Sequence, residues 1–174
     1  ILPLVAKAVG EKLPGGTDKP ASARALPTAN MLPNGIAYFP DDVLSLGKVG
    51  PGAIGYYKDG AKRYRLLAIQ APDVDTAKDV MKTIRSHAGA LPVASLGDEA
   101  VLVQLQDPPD APVKNEFVIA RKGTLIAGAG GEPLVTDAAA KATKDDKTSH
   151  LRAWLNGAAA STTTPAAPSG ASSK

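Results

Sequence analysis

The stretch from Gly52 to Gly89 constrains the fold of this chain more than any other. It reads as a strand over Ala53–Lys58, a two-residue turn at Asp59-Gly60, a second strand over Ala61–Gln70 and a helix over Val74–Ala88. Asp-Gly tolerates positive φ at both central positions, which a type I′ turn requires if it is to match strand twist. The flanks carry Ile54, Tyr56, Tyr57, Tyr64, Leu66, Leu67 and Ile69, residues that suit a pleated surface. Leu66 to Ile69 is apolar on successive residues. Successive side chains point to opposite faces, so that part of the strand is expected to be covered on both sides. Nearer the turn, Lys58, Lys62, Arg63 and Arg65 predict a solvated end.

The helix has a start and a stop. Asp73 is placed to cap the first free N–H groups, and Asp75 adds charge near the positive helix end. Val74, Ala77, Val80, Met81, Ile84 and Ala88 form an apolar stripe at helical spacing, which must lie on a sheet. Arg85 and His87 sit in the last turn and Gly89 closes it.

The remaining segments are shorter. Ile1–Leu13 has one apolar face and reads as an amphipathic helix, and Thr17–Asn30 reads as a linker. A short strand is expected at Ile36–Phe39, one helical turn at Asp41–Leu46, and a strand at Val101–Gln106. Asp107–Pro112 holds three prolines and cannot continue a ladder. A second hairpin follows, Glu116–Arg121 and Thr124–Ala129 around Lys122-Gly123. Ala138–Ala142 favours helix, Lys144–Lys147 reads as a charged break, and Leu151, Trp154 and Leu155 give a final helix stopped at Asn156-Gly157. Ser161–Lys174 has nothing to bury and is expected to be disordered. The expected domains are therefore a helix and linker over 1–30, a sandwich domain over 31–157 and a tail over 158–174. The fold class is α+β: a mainly antiparallel sheet of about five to six strands, built from two hairpins, with helices packed on its faces.

Composition narrows function by exclusion. Aromatic residues are only 4% of the chain, so the core must rest on Val, Leu, Ile and Ala. A net charge of +3 is small for a dedicated nucleic-acid binder. With no cysteine, disulfides, thiolate zinc sites and a thiol nucleophile are excluded from the residues given. No apolar run approaches the roughly 20 residues of a membrane-spanning helix. Ile1 in place of Met reads as a processed or truncated start, with a signal peptide or lipid anchor upstream.

Candidate chemistry is thin. Gly128-Ala129-Gly130-Gly131 follows a strand, but Pro133 stands where a dinucleotide fingerprint needs its third glycine. Neither His87 nor His150 has a close ligand companion, so His87 reads as a helix-end residue and His150 as a surface one; no metal and no cofactor is expected. Asp98-Glu99 offers paired carboxylates for acid–base work, against a structural reading in which Asp98 bonds nearby backbone N–H groups. No catalytic residue is assigned. The hairpin tip, with Tyr56, Tyr57, Lys58, Lys62, Arg63 and Tyr64, is the candidate partner-binding surface. Stacking rings among cations also fit single-stranded nucleic acid, though the small net charge disfavours it.

The run LPNGIAYFPDDVLSLGKVGPGAIGYYKDGAKRYRLLAIQAPDVDTAKDVMKTIR, with SLGDEAVLV and EFVIARKGTLIAGAGG after it, resembles the C-terminal half of an uncharacterised bacterial family of exported proteins and lipoproteins. The similarity covers Ile1 to about Gly131. The resemblance implies export to the periplasm or cell surface, a β-rich sandwich, and an N-terminal half before Ile1; it implies no activity. The expectation is an exported, non-enzymatic binding or interaction module. Its partner is another protein or the N-terminal half of the same precursor. The alternatives are a hydrolase-type enzyme using Asp98 and Glu99, and a weak nucleic-acid binder using hairpin 56–65.

Overall fold

Two antiparallel meanders meet side by side to make the sheet. In the computed structural model, which describes residues 18–47, 49–106, 114–133, 135 and 137–160, the first meander is β1 (Met31–Phe39), β2 (Gly52–Asp59) and β3 (Lys62–Gln70). The second is β4 (Leu91–Pro92), β5 (Glu99–Gln106), β6 (Lys114–Lys122) and β7 (Leu125–Gly131). They join where β3 pairs with β7, from Tyr64↔Gly131 to Gln70↔Leu125, giving one seven-stranded sheet in the order β1-β2-β3-β7-β6-β5-β4. The α+β class and the antiparallel sheet are as expected, and the two hairpins lie edge to edge. The strand count is seven rather than five to six, because β4 is only Leu91-Pro92 and too short to alternate. Its proline is tolerated at the sheet's outer edge.

Both hairpin turns sit one residue later than the sequence predicts. The last pairs are Asp59↔Lys62 and Lys122↔Leu125, which leaves Gly60-Ala61 and Gly123-Thr124 as the loops. Gly60 has φ +57° and Gly123 φ +59°, and neither following residue has positive φ. Glycine at the first central position alone is the type II′ pattern, so Asp59 and Lys122 are strand residues.

Among the described residues three α-helices cover the sheet: α1 (Ala21–Ala25), α2 (Val74–Arg85) and α3 (Lys144–Ala160), with a 3₁₀ turn at Ala138–Ala140. The Asp73 carboxylate caps α2, accepting from Thr76 N at 2.7 Å and Thr76 Oγ1 at 2.9 Å. These bonds hold its carboxyl below the usual range. Ala77, Val80, Met81 and Ile84 are the buried stripe. The helix ends at Arg85 rather than Ala88, and Val74 and Ala88 are exposed.

The start of α3 corrects the expected break at Lys144–Lys147. Thr143 and Asp146 form a reciprocal cap: Thr143 N donates to Asp146 Oδ2 at 2.8 Å, and Asp146 N donates to Thr143 Oγ1 at 3.2 Å. This is the spacing of a capping box with Asp in the Glu position, which turns a charged stretch into a first helical turn. Lys147 is buried and reaches Glu116 Oε1 on β6 at 3.0 Å. The helix also runs on through Asn156-Gly157. The linker expectation for Thr17–Asn30 is corrected as well, because Ser22 and Ala23 of α1 and Leu26 just after it are buried. Asp41–Leu46 makes turns rather than a helical turn, and Val43 and Leu44 fold onto the sheet. The expected helix at Ile1–Leu13, the loop at Asp107–Pro112 and the tail from Ser161 lie outside the described residues.

The two faces of the sheet have different cores. Under α2 and the side chains of Val43, Leu44 and Val49 lie Ile54, Leu67, Ile69, Val101, Val103, Leu105, Phe117, Ile119 and Ile126, with no alanine among these strand residues. The opposite face, under α1 and α3, carries six strand alanines (Ala53, Ala68, Ala100, Ala120, Ala127 and Ala129) beside Tyr57, Tyr64, Leu66, Leu102 and Val118. Strand alternation separates the two sets. On that second face α1 lies over β2 and β3, and α3 over β6 and β7, so the β3–β7 seam runs between the two helices.

Candidate functional site

The residues expected to form one binding surface at the hairpin tip are divided by the pleat. Tyr57 and Tyr64 are cross-strand partners on the α1/α3 face and are 0% and 3% exposed. The Tyr57 hydroxyl donates to the Pro27 carbonyl at 2.7 Å. Burial raises the phenols of Tyr57 and Tyr64 above their ordinary range. Neighbouring Tyr64 adds to the effect at Tyr57, and Asp59 adds to it at Tyr64, where a hydrogen bond with Asn30 acts in the opposite sense. Lys62, on the same face, pairs with Asp146 at the start of α3. That hydrogen bond, with those from Thr143, holds the Asp146 carboxyl well below its usual range.

Tyr56, Lys58 and Arg63 project from the other face. Tyr56 is half-buried, Lys58 is exposed, and Arg63 lies 3.8 Å from Glu132. Arg65, expected in the solvated end, is 3% exposed: its guanidinium stands over the Phe117 ring at 5.1 Å and Nε donates to the Gly131 carbonyl at 2.9 Å. The structure therefore does not gather the tyrosines and cations into a single face.

Asp98 and Glu99 converge on a buried cation instead of an open pocket. Arg121 donates through Nε to Glu99 Oε1 at 2.7 Å and through Nη1 to Asp98 Oδ2 at 2.9 Å. The second Glu99 oxygen meets Arg85 of α2 at 2.8 Å, and Asp98 also accepts from Gly123 N at 2.8 Å. The backbone bond matches the structural reading of Asp98. This network ties the β6–β7 turn, the start of β5 and α2 together. The glycines at 128–131 belong to β7, where Gly128 and Gly130 make room for neighbours: a Cβ on Gly130 would stand 2.4 Å from the Phe117 ring. Among the described residues no group of three or more His, Asp or Glu side chains is placed to hold a metal ion. No described helix is long and apolar enough to cross a membrane.

The feature best formed to receive a ligand is a cleft of about 910 Å³ on the α1/α3 face, above the β3–β7 seam. Tyr64, Leu66 and Gln70 line its floor along β3, a run of six residue steps or roughly 20 Å at about 3.4 Å per residue. Leu125 and the β6–β7 turn continue the floor. Its walls come from α1 and the following Pro27–Asn30 segment on one side, and from His150, Ala153, Trp154 and Gly157 of α3 on the other. Trp154 Nε1 donates to the Ala25 carbonyl at 3.1 Å, which fixes the separation of the two helices. At one end three rings stack: Tyr57 on Tyr64 at 5.3 Å, and Tyr64 on His150 at 4.0 Å with planes 10° apart. His150 is thus a half-buried wall of the cleft, not the surface residue that the sequence predicts. At the other end Gln70 Nε2 donates to Thr124 Oγ1 at 2.8 Å.

Of the six expected hairpin residues only Tyr64 lines this cleft. His150, Trp154, Leu125, Arg24 and Lys122 were not singled out as a site from the sequence. None of the strand alanines on this face lines the cleft, so Ala68, Ala127 and Ala129 mark the packed layer beneath the helices and not the cleft itself. Compared with protein-family models, with curated proteins and with solved structures, the chain matches none of them.

Proposed function

We propose that this chain is an exported, non-enzymatic binding module whose ligand lies in the cleft between α1 and α3. The observation that carries this reading is the cleft itself: its size is that of ligand sites, and a few polar side chains stand among apolar ones. Export rests on the resemblance to exported bacterial proteins and lipoproteins. The hydrolase alternative is weakened because both Asp98 and Glu99 are engaged by Arg121, and Glu99 also by Arg85. The nucleic-acid alternative is weakened because two of its tyrosines are buried and Lys62 and Arg63 each meet a carboxylate.

Trp154 is the single tryptophan of the chain and lines the cleft, so its emission reports occupancy. The test uses Nile red, an uncharged apolar dye, with energy transfer from Trp154 as the readout. Saturable transfer is expected in the native protein. Gly157→Leu should abolish it, since Gly157 lines the cleft and has open space where a Cβ would stand. Replacing a glycine inside a helix also favours the fold. Transfer that is absent in the native protein, or unchanged in Gly157→Leu, removes the reading.

A further inference from the structure

We infer that the cleft selects a free amphiphilic carboxylic acid, an elongated apolar chain with one anionic head. This rests on the cleft being a binding site. Its long axis follows β3, and the middle is walled by Leu66, Leu125 and Trp154 with Ala25 and Ala153, surfaces suited to an alkyl chain. Among the described residues the charge of the lining has one sign: Arg24 and Lys122 contribute to it, and no aspartate or glutamate does. Lys122 stands at the Gln70–Thr124 end, since Leu125 pairs with both Lys122 and Gln70, and Arg24 is a second cation of the lining. Ala25, next to Arg24, accepts from Trp154, and Lys122 Nζ donates to the Leu155 carbonyl at 2.9 Å. An ammonium has three N–H donors, so Lys122 keeps two for a carboxylate after bonding Leu155. Arg24 is exposed at the rim and supplies a planar fork that matches a carboxylate. The nearest acid bonded to the lining, Asp98 on Gly123 N, is already neutralised by Arg121. An anionic head is therefore placed at the Lys122 end, with Arg24 as the second cation, and the chain runs along the seam toward the Tyr64–His150 stack.

The test is a titration of Trp154 emission with dodecanoate, dodecanol and dodecyltrimethylammonium, using the full chain. Dodecanoate is expected to bind about fivefold tighter than dodecanol, the scale of one exposed ion pair, and the cation weakest. Arg24→Gln, at an exposed position, should bring dodecanoate to the affinity of dodecanol and leave dodecanol unchanged. Lys122→Gln should do the same, with the fold checked by circular dichroism. If dodecanol binds as tightly as dodecanoate, the acid preference is overturned while the cleft stands as a binding site. If none of the three moves the emission and Nile red also fails, the cleft reading falls with it. A response to phosphatidylglycerol vesicles equal to that to dodecanoate overturns the free acid in favour of a lipid surface.

Discussion

The two faces of the sheet are made from the same strands and do opposite things. Under α2 the strand side chains are large and branched, and the layer is filled: Phe117 covers Gly130, and Leu67 and Ile119 close over Gly128. Under α1 and α3 alanine alternates with those same residues. Small side chains let α3 lie close, but two separate helices cannot cover the seam between them, and the gap becomes the cleft. The lesson is that how completely the helices cover a face of the sheet separates scaffold from site. Hydrophobicity does not, since both faces are apolar.

The contrast between the two faces is open to direct measurement. The largest effect should come from Phe117→Ala, which empties the filled face and should cost about 3–5 kcal/mol in urea unfolding. A loss below about 1 kcal/mol would mean that this face is not filled. Next, added volume should act with opposite signs on the two faces. Gly130→Ala forces a methyl into the Phe117 ring and should destabilise by about 1–3 kcal/mol. Gly157→Ala, on the cleft, should stabilise by about 0.5–1 kcal/mol, because helical glycine is unfavourable and nothing lies near the added methyl. Equal signs would erase the distinction.

Smaller effects concern caps and titration. Thr143→Ala removes the reciprocal cap of α3 and should lower stability by about 1 kcal/mol. Asp146, the other half of that cap, titrates below its unfolded value. Its contribution is present above the unfolded pKa of 3.8 and is lost as pH falls through the lower folded value. The Thr143→Ala difference should therefore shrink in acid; a difference independent of pH below 4 would count against the assignment. At the alkaline end the sign reverses. Tyr57 ionises near 10.0 when unfolded and only at higher pH when buried, so stability should fall as pH rises above 10. Tyr57→Phe should flatten that slope.

The organising hairpin and its helix were legible because each element is longer than its own period. Leu66–Ile69 announces a strand buried on both sides, and Ala77, Val80, Met81 and Ile84 announce a helix lying on it. What was missed turns on partners distant in sequence. Tyr57 and Tyr64 look like exposed hairpin rings until α1, read as linker, is seen to bring Pro27 and Asn30 over them. Arg65 looks solvated until Phe117, 52 positions away, lies under it. The cap of α3 was legible in Thr143 and Asp146, but the surrounding lysines and aspartates masked it. The cleft was not legible from single residues, because its walls come from α1, the β6–β7 turn and α3, which only the closed sheet brings together.

The β3–β7 seam also dictates how the chain must fold. Every other strand pairing joins neighbours in sequence, whereas this one joins residues roughly sixty positions apart. Each ribbon can therefore zip on its own, and the slow event is their docking, with its loop-closure entropy incurred before any long-range contact offsets it. Disturbing Leu67 or Gly128 should retard refolding, while losses confined to the rim of the cleft should show only as faster unfolding.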